Sequence, residues 1–175
     1  ESVQARRAFL SDGFYAPLQQ AIVKKIRDLR IENLLDIGCG EGYYTDAMQH
    51  EVMQCVGVDI AKNAVQVAAK LNKKVTWIVG TGATLPVLDQ SIDLCTSLFS
   101  PIPIEEILRV LKPQAYLIVV TPAPEHLYAM REGLFDEVKM HDPHKFVEQL
   151  QAHFDLIEQP IVETTFELNQ AQLKN

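Results

Sequence analysis

The residues best suited to bind a ligand lie in one short segment, Leu-Asp-Ile-Gly-Cys-Gly-Glu-Gly at residues 35–42. Its alternating glycines let the main chain turn sharply, and they let a ligand approach main-chain N–H groups with no Cβ in the way. Asp59 ends the next apolar segment about 20 residues further on, where a carboxylate can accept hydrogen bonds from both hydroxyls of a ribose. This combination predicts a site for a cofactor that contains a nucleoside.

The charges around the segment indicate which cofactor it is. Asp36 and Glu41 bracket the glycines, whose spacing is G-x-G-x-G rather than G-x-G-x-x-G. A dinucleotide places its pyrophosphate on such a turn, and nearby carboxylates would repel it. S-adenosylmethionine carries a sulfonium and an amino group, which carboxylates favour. We therefore expect Asp36, Gly38, Gly40, Glu41 and Asp59 to bind S-adenosylmethionine; a nicotinamide or flavin nucleotide, and a tight turn without a ligand, are the alternatives.

Two further segments follow apolar strands and are expected to face the same site. Residues 80–86, which include Thr84, could line the adenine, and residues 98–101 could line the acceptor. For Phe99, core packing and stacking on the substrate remain equally open. Trp77 alternates with polar Thr76 in mid-strand, so we expect it in the core.

The sequence gives no good metal site. His141 and His144 flank an Asp-Pro pair typical of a helix start, and they lack further ligands at suitable spacing, so solvated side chains are the better interpretation. The three cysteines, Cys39, Cys55 and Cys95, are widely spaced among apolar or glycine neighbours. That distribution favours small core or turn residues in a reducing compartment.

Length and composition favour one globular domain. The chain has 175 residues, of which 47% are hydrophobic, and no apolar run approaches the length of a membrane span. Charged and polar residues dominate residues 1–7, which do not resemble a signal peptide. We expect a cytoplasmic protein that does not bind a membrane. The net charge of -7 argues against nucleic-acid binding by charge alone. Arg6 and Arg7 could meet a phosphate, although such a pair is more often solvated.

Hydrophobic periodicity predicts the elements that position these residues. Helices are expected over residues 16–29, 43–50, 63–71 and 105–111, and strands over residues 33–37, 54–59, 75–79, 92–99 and 115–120. This alternation predicts an α/β fold with a doubly wound, mostly parallel sheet. Further on we expect a short helix over 126–131, a helix from Asp142 to about Ala152, a strand within 154–166 and a last helix over 167–175.

With these residues in hand, the sequence resembles the bacterial RlmA family, methyltransferases that modify N1 of a guanine in large-subunit ribosomal RNA. The resemblance runs from Gln4 to about Asn175. It is carried by residues 4–10 (Gln-Ala-Arg-Arg-Ala-Phe-Leu), Gly13, Tyr15, Pro17-Leu18, residues 35–45, Leu85-Pro86, Arg109-Val110, Lys112-Pro113, Thr121-Pro122, His126-Leu127, His141 and Pro143-His144. The glycine segment is common among methyltransferases, whereas the Gln-Ala-Arg-Arg segment and the His126 region are narrower signals.

The resemblance implies a Rossmann-like class I fold, a single methyltransferase domain over residues 1–175 and a helical extension over about residues 1–30. It also implies that Gly40 and Glu41 contact the cofactor, that Tyr15 folds over it, and that His126 reaches it from beyond the fifth strand. Asp59 fits the family's ribose-binding position.

The sequence also departs from the family. The four-cysteine zinc module with which members begin is absent from these residues, and we expect the final antiparallel strand of the sheet to be missing. Gln114-Ala115 stand where Gly-Gly commonly follows Lys-Pro. We expect that change to alter a turn and to leave the chemistry unaffected.

The function predicted in this way is methylation of N1 of a guanine in large-subunit rRNA. A small-molecule methyltransferase of the same fold, which suits the acidic balance, and a cofactor-binding protein without transferase activity are the alternatives. N1 of guanine carries a proton at neutral pH, so a base or a donor to O6 is needed, and the sequence does not name that catalytic group. The oligomeric state stays open, a dimer included.

Overall fold

A computed structural model describes residues 16–122, 148–150, 152–158, 161–162 and 166–173 of the protein. The helices are α1 (Ala16–Leu29), α2 (Tyr43–Met48), α3 (Lys62–Leu71) and α4 (Ile104–Val110), and a 3-10 turn (Gln49–Glu51) follows α2. The strands are β1 (Asn33–Ile37), β2 (Gln54–Asp59), β3 (Thr76–Val79), β4 (Ile92–Leu98), β5 (Leu111–Pro122), β6 (Phe154–Glu158), β7 (Ile161–Val162) and β8 (Phe166–Leu173).

The strands form one sheet in the order β3-β2-β1-β4-β5-β8-β6, with β7 paired to β8. The first five strands are parallel, and β8 runs antiparallel between β5 and β6. The order of strand addition reverses between β1 and β4. In open parallel sheets a ligand binds beyond the carboxyl ends of the strands at such a reversal. The predicted doubly wound, mostly parallel sheet is confirmed, and its Rossmann-like class with it.

The parallel strands are apolar on both faces because helices cover both. Leu34 and Leu94 pack with α1 in the first of two cores. Residues Leu18, Ile22 and Ile26 of α1 recur every four positions and are all 0% exposed. The neighbouring strand residues face the opposite way, as the pleat requires. These residues, Leu35 and Cys95, pack with Ile107 and Val110 of α4 in a second core.

Most predicted elements up to β5 are confirmed to within one or two residues. Strands β1 and β2 and helix α1 have the predicted bounds, and β5 begins four residues before the predicted position 115. The early start includes Gln114, whose φ is 68°, in a stretch where the register between β4 and β5 shifts. Glycine adopts such a left-handed conformation more readily than glutamine does.

Two expectations about the C-terminal part are wrong. The first is the helix expected over 167–175, because residues 166–173 form strand β8. The second is that the antiparallel strand of the sheet would be missing, because β8 is an antiparallel strand next to β5. The apolar residues of this segment, Phe166, Leu168, Ala171 and Leu173, fit neither a strand period nor a helix period well. The backbone groups along the edge of β5 need hydrogen-bond partners, and pairing with β8 provides them.

Residues 148–150 are helical, as predicted for the segment up to about 152, and β6 lies within the predicted strand region. The predicted helix over 126–131 and the predicted start at Asp142 lie outside the described residues. Among the described helices, none is long and apolar enough to cross a membrane.

Candidate cofactor and acceptor site

The glycine turn (residues 38–42) lies at the carboxyl end of β1, at the reversal of strand order. Gly38, Gly40 and Gly42 have φ values of 76°, 56° and 87°. The amides of Gly38 and Cys39 both donate to the Val58 carbonyl of β2, at 2.8 and 3.0 Å. The turn is thus fixed to the neighbouring strand through main-chain hydrogen bonds, as expected for a rigid ligand-binding turn.

The three glycines are needed for different reasons. A Cβ on Gly38 would lie 2.5 Å from Cβ of Ser100, and a Cβ on Gly42 would lie 2.5 Å from the indole of Trp77. A Cβ on Gly40 would meet nothing within 4 Å. Gly38 and Gly42 therefore allow close packing, whereas Gly40 borders open space through which a ligand can approach the main chain.

Asp59 lies beside that open space. It ends β2, and its Oδ2 accepts a hydrogen bond of 2.8 Å from the Gly40 amide while Oδ1 accepts one of 2.8 Å from the Ala61 amide. The carboxylate is held in place by these two donors. Each oxygen retains a second lone pair, so the geometry is compatible with the ribose contact predicted from the sequence.

Asp36 is enclosed near the same turn. Its side chain is 2% exposed, and its two oxygens accept hydrogen bonds from the hydroxyls of Thr45, at 2.6 Å, and Thr96, at 2.8 Å. Burial raises the pKa of Asp36 to about 6, the two hydroxyls oppose that rise, and the charge of Asp59 adds to it. A nearby cation would favour the ionised form of this carboxylate.

Glu41 is the second acidic residue of the turn and is 7% exposed. It lines a cavity of about 110 Å³, together with Gly42, Asp46, Ala68, Leu71, Asn72 and Trp77. Of the two carboxylates that bracket the glycines, Glu41 thus faces a small cavity and Asp36 is enclosed by hydroxyl donors. The cavity lies between α2, α3 and β3, on the side of the turn that Trp77 closes.

Trp77 packs against the first core, as predicted, and it also contacts the glycine turn. Its indole NH donates to the Asn72 carbonyl at 2.8 Å, and its ring lies 2.8 Å from where a Cβ on Gly57 would be. The ring thus covers β2 at Gly57 and meets the glycine turn at Gly42. Packing by Trp77 requires glycine at both positions.

The β3–β4 loop (residues 80–91) carries Thr84, which is exposed. The loop is anchored to α4 beyond that residue. The Leu85 amide donates to Glu106 at 2.7 Å, and the Arg109 guanidinium donates to the carbonyls of Leu85 and Val87 at 2.8 and 2.9 Å. The same guanidinium lowers the pKa of Glu106, to which it donates at 2.7 Å. Thr84 therefore directly precedes the part of the loop that hydrogen bonds hold against α4.

The β4 turn (residues 99–101) approaches the glycine turn from β4. The Ser100 hydroxyl donates to the Ile37 carbonyl at 2.9 Å, and Phe99 has a left-handed backbone with φ of 60°. The Phe99 ring lies 6.2 Å from the Tyr44 ring and packs against the first core. Of the two possibilities left open by the sequence, the structure shows the core contact.

Sequence reasoning missed two features of the site. Ile60, directly after Asp59, is 76% exposed, and Val79, at the end of the neighbouring β3, is 48% exposed. Two exposed apolar side chains at adjacent strand ends offer a surface on which a flat ring can lie. In the sequence, Val79 looks like an ordinary strand residue and Ile60 like an ordinary apolar residue after a strand. The Ser100 contact with Ile37 spans 63 residues and left no local signal.

The structure brings Asp36, Gly38, Gly40, Glu41 and Asp59 together around one turn, with Thr84 on the anchored loop after β3. Tyr15 and His126, expected at the cofactor, lie outside the described residues. Arg6, Arg7, His141 and His144 lie outside them as well.

Comparison with known proteins agrees with this geometry. Residues 35–119 match the family described as a methyltransferase domain. The chain is 31% identical over 97% of its length to the 23S rRNA (guanine(748)-N(1))-methyltransferase of Streptomyces fradiae, of which it covers 63%. It is also 31% identical to the Bacillus subtilis protein YxjB, over 78% of the chain and 52% of that protein. The chain thus spans about half to two thirds of the length of these relatives.

Among solved structures, a SAM-dependent methyltransferase from Aquifex aeolicus superimposes with a TM-score of 0.75 at 18% identity, covering 99% of this chain and 100% of that one. This likeness shows the fold. The similarity to guanine-N1 methyltransferases of 23S rRNA, inferred from motifs, is confirmed by the relatives. Residues 35–119 are therefore similar to methyltransferase domains, and the chain shares the Rossmann-like fold of the Aquifex aeolicus protein.

Proposed function

We propose that this chain is the cofactor-binding domain of an enzyme that methylates N1 of a guanine in large-subunit rRNA. The observation that carries the proposal is similarity over 97% of the chain to a protein named for this activity. The site is compatible with it, because an open, glycine-lined approach is combined with carboxylates that favour a cationic donor. The proposal places the protein with ribosomes in the cytoplasm.

In this proposal the residues have distinct roles. Gly40 lets the cofactor approach the main chain, and Asp59 accepts hydrogen bonds from its ribose. Asp36 and Glu41 supply negative charge near the sulfonium and the amino group. Thr84 lies on the adenine side. The resemblance adds Tyr15 and His126 as further cofactor contacts.

Bound S-adenosylmethionine supplies an electrophilic methyl group on a sulfonium. The protein has to orient the acceptor in line with that group, keep water away and help to remove the N1 proton. A guanine within a helix is inaccessible to such a site, so an unpaired or flipped base, as in a hairpin loop, is the expected target.

The proposal is tested with rRNA from a strain that lacks the gene. Reverse transcription stops at N1-methylguanine, and we expect one stop in 23S rRNA to disappear in the deletion strain. The stop should return with the wild-type gene and not with Asp59→Asn. A complete, unchanged set of stops in the deletion strain would contradict the proposal.

A second candidate function is methylation of a small molecule, and the net charge of -7 favours it because RNA binding relies on positive charge. The full-length protein is incubated with labelled S-adenosylmethionine and either deproteinised 23S rRNA or the small molecules of a cell extract, which distinguishes the two. Label in RNA that is lost after RNase treatment supports the rRNA function. Label only in small molecules from a cell extract supports the second candidate.

A further inference from the structure

The β4 turn is held in a costly conformation by several independent contacts. Phe99 has φ of 60°, a region that residues with a Cβ seldom adopt. Such strain persists where the surrounding structure over-determines it, and it concentrates at functional sites. Here the Phe99 amide donates to the Val120 carbonyl of β5 at 3.0 Å, and the Phe99 ring packs near Tyr44.

Two serines provide the remaining contacts. The Ser100 hydroxyl donates to the Ile37 carbonyl at 2.9 Å. Ser97, which is 0% exposed, places its hydroxyl 2.9 Å from the Ser100 hydroxyl and 3.2 Å from the Ser100 carbonyl. Because Ser100 uses its proton on Ile37, Ser97 is the donor within the pair. Both hydroxyl protons are thus engaged inside the protein, and neither serine is suited to act as a base or a nucleophile.

The partner of Ser100 gives this contact its importance. Ile37 is the last residue of β1 and directly precedes Gly38, the first glycine of the glycine turn, where the methyl donor is proposed to bind (the donor side). Cβ of Ser100 also occupies the position against which a Cβ on Gly38 would collide, at 2.5 Å. The β4 turn and the glycine turn therefore touch at Gly38 and are joined by a hydrogen bond one residue away.

We propose that Ser100, supported by Ser97, is a positioning residue that fixes the β4 turn to the glycine turn, so that acceptor and methyl donor are held at one separation. This inference rests on the proposed function in one respect, since it takes the β4 turn as the wall on the acceptor side. Methyl transfer is an in-line displacement, and a misplacement of about 1 Å can cost 100-fold in rate. A fixed distance between the two turns prevents such a misplacement.

The mechanical part is tested by hydrogen exchange, which needs no acceptor. In the full-length wild-type protein, saturating S-adenosylmethionine should slow exchange in the glycine turn and also at the Phe99 amide. In Ser100→Ala the slowing should persist in the glycine turn and fall to less than about twofold at Phe99, since the connection is lost. Equal slowing at Phe99 in both proteins, or none in the wild type, would overturn the proposal.

The catalytic part is tested by kinetics on the acceptor of the wild-type enzyme. Ser100→Ala should lower kcat about tenfold while the Kd for the cofactor changes less than about twofold. Ser97→Ala should have a smaller effect, and the double variant should resemble Ser100→Ala because the two hydroxyls act as a unit. A loss of cofactor affinity that accounts for the whole effect, or an unchanged kcat, counts against Ser100 as a positioning residue.

Ser91→Ala is the matched control. Its hydroxyl donates to the Leu88 carbonyl at 2.7 Å, also within a turn between residues three apart, but away from both turns of the site. This variant should behave as wild type in both measurements. If 23S rRNA is not methylated by the wild-type protein, the proposed function fails, and the exchange measurement still decides the role of Ser100.

Discussion

The glycine turn and the β4 turn touch at Gly38 and Ser100, yet they are built in different ways. The glycine turn is fixed by main-chain amides that donate to Val58 and Asp59, and it leaves open space at Gly40. The β4 turn has one main-chain hydrogen bond, from Phe99 to Val120, but its other contacts come from side chains, namely two serine hydroxyls and an aromatic ring, and it has a strained residue where the other has glycine.

In the proposed function, this difference lets one site bind two partners, the cofactor at the glycine turn and the acceptor at the β4 turn. Glycine has no side chain, so a cofactor can approach the main chain of the glycine turn closely. A turn fixed by its main chain keeps one shape for all cofactors of one class. A turn held by side chains can change with a few substitutions while the sheet below stays the same. The donor side is thus expected to resist substitution, and the acceptor side to tolerate it at a cost in rate.

The sharpest test of this comparison is a pair of alanine substitutions. Gly40→Ala adds a methyl group to the open space, so we expect cofactor binding to fall below detection, with a loss of roughly 1–2 kcal/mol in the free energy of unfolding from the left-handed backbone. Gly38→Ala adds a collision with Ser100 to the same backbone cost, so we expect a loss of roughly 3–5 kcal/mol. Urea unfolding and calorimetry with the cofactor measure the two effects. Equal stability of the two variants would contradict the different roles assigned to these glycines.

The next largest effect is expected at Asp59. Asp59→Ala removes the charged acceptor of the hydrogen bonds that the ribose hydroxyls donate, and at about 1.5–3 kcal/mol each their loss should weaken cofactor binding at least 100-fold. Asp93→Asn is the matched control, because Asp93 also accepts a hydrogen bond from a main-chain amide, that of Asn33 at 2.8 Å, but at the opposite end of the sheet. Calorimetry should show wild-type affinity for this control. Similar affinity losses in both variants would indicate a general effect on folding.

The geometry of the glycine turn is largely predictable from the sequence because its signals are local. Gly38, Gly40 and Asp59 follow from short motifs at the ends of apolar strands, and those strands were placed to within a few residues. The charge of Asp36 was expected too, although its enclosure by Thr45 and Thr96 depends on a strand 60 residues away.

The acceptor side was not predictable in the same way. The contact of Ser100 with Ile37 joins two strands that meet only after folding, and serine is common in ordinary loops. The position of β8 depends on the same kind of information, since the edge of β5 rather than the pattern of residues 166–173 selects the strand. Side chains that contact residues far away in the sequence leave no recognisable pattern in the residues next to them.

A smaller effect is expected from pH, through Asp36 on the donor side. Burial raises its pKa to about 6, so the carboxyl gains a proton as the pH falls through that value. The positive charge of the cofactor then loses a favourable partner, and we expect affinity to fall about tenfold between pH 7.5 and pH 5. Fold stability changes in the opposite sense. Because the pKa is raised in the folded state, the contribution of Asp36 to stability declines as the pH rises from about 4 to about 6.

Asp36→Asn separates these two effects. The variant should bind the cofactor weakly at both pH values, with a flatter pH profile by calorimetry, and its unfolding should lose the part of the pH dependence that Asp36 causes. A profile as steep as that of the wild type would assign the titration to another group. The β4 turn has no carboxylate, so Ser100→Ala should keep the wild-type pH profile of cofactor binding.

The smallest effect comes from strain outside the site and tests whether strain at Phe99 is special. Gln114 has φ of 68°, close to the 60° of Phe99, but it lies in the irregular start of β5, at the other end of the sheet. Gln114→Gly should raise the free energy of unfolding by about 0.5–1 kcal/mol, since glycine relieves the left-handed conformation at some cost in chain entropy. Ala115→Gly, at a buried neighbour, should lower the free energy of unfolding by a similar amount.

Methyl transfer should be unchanged in Gln114→Gly. Phe99→Gly relieves the same kind of strain but should lower kcat, because the ring contact that holds the β4 turn is lost with the side chain. A Phe99→Gly variant with full activity would remove the reason for treating that conformation as part of the site.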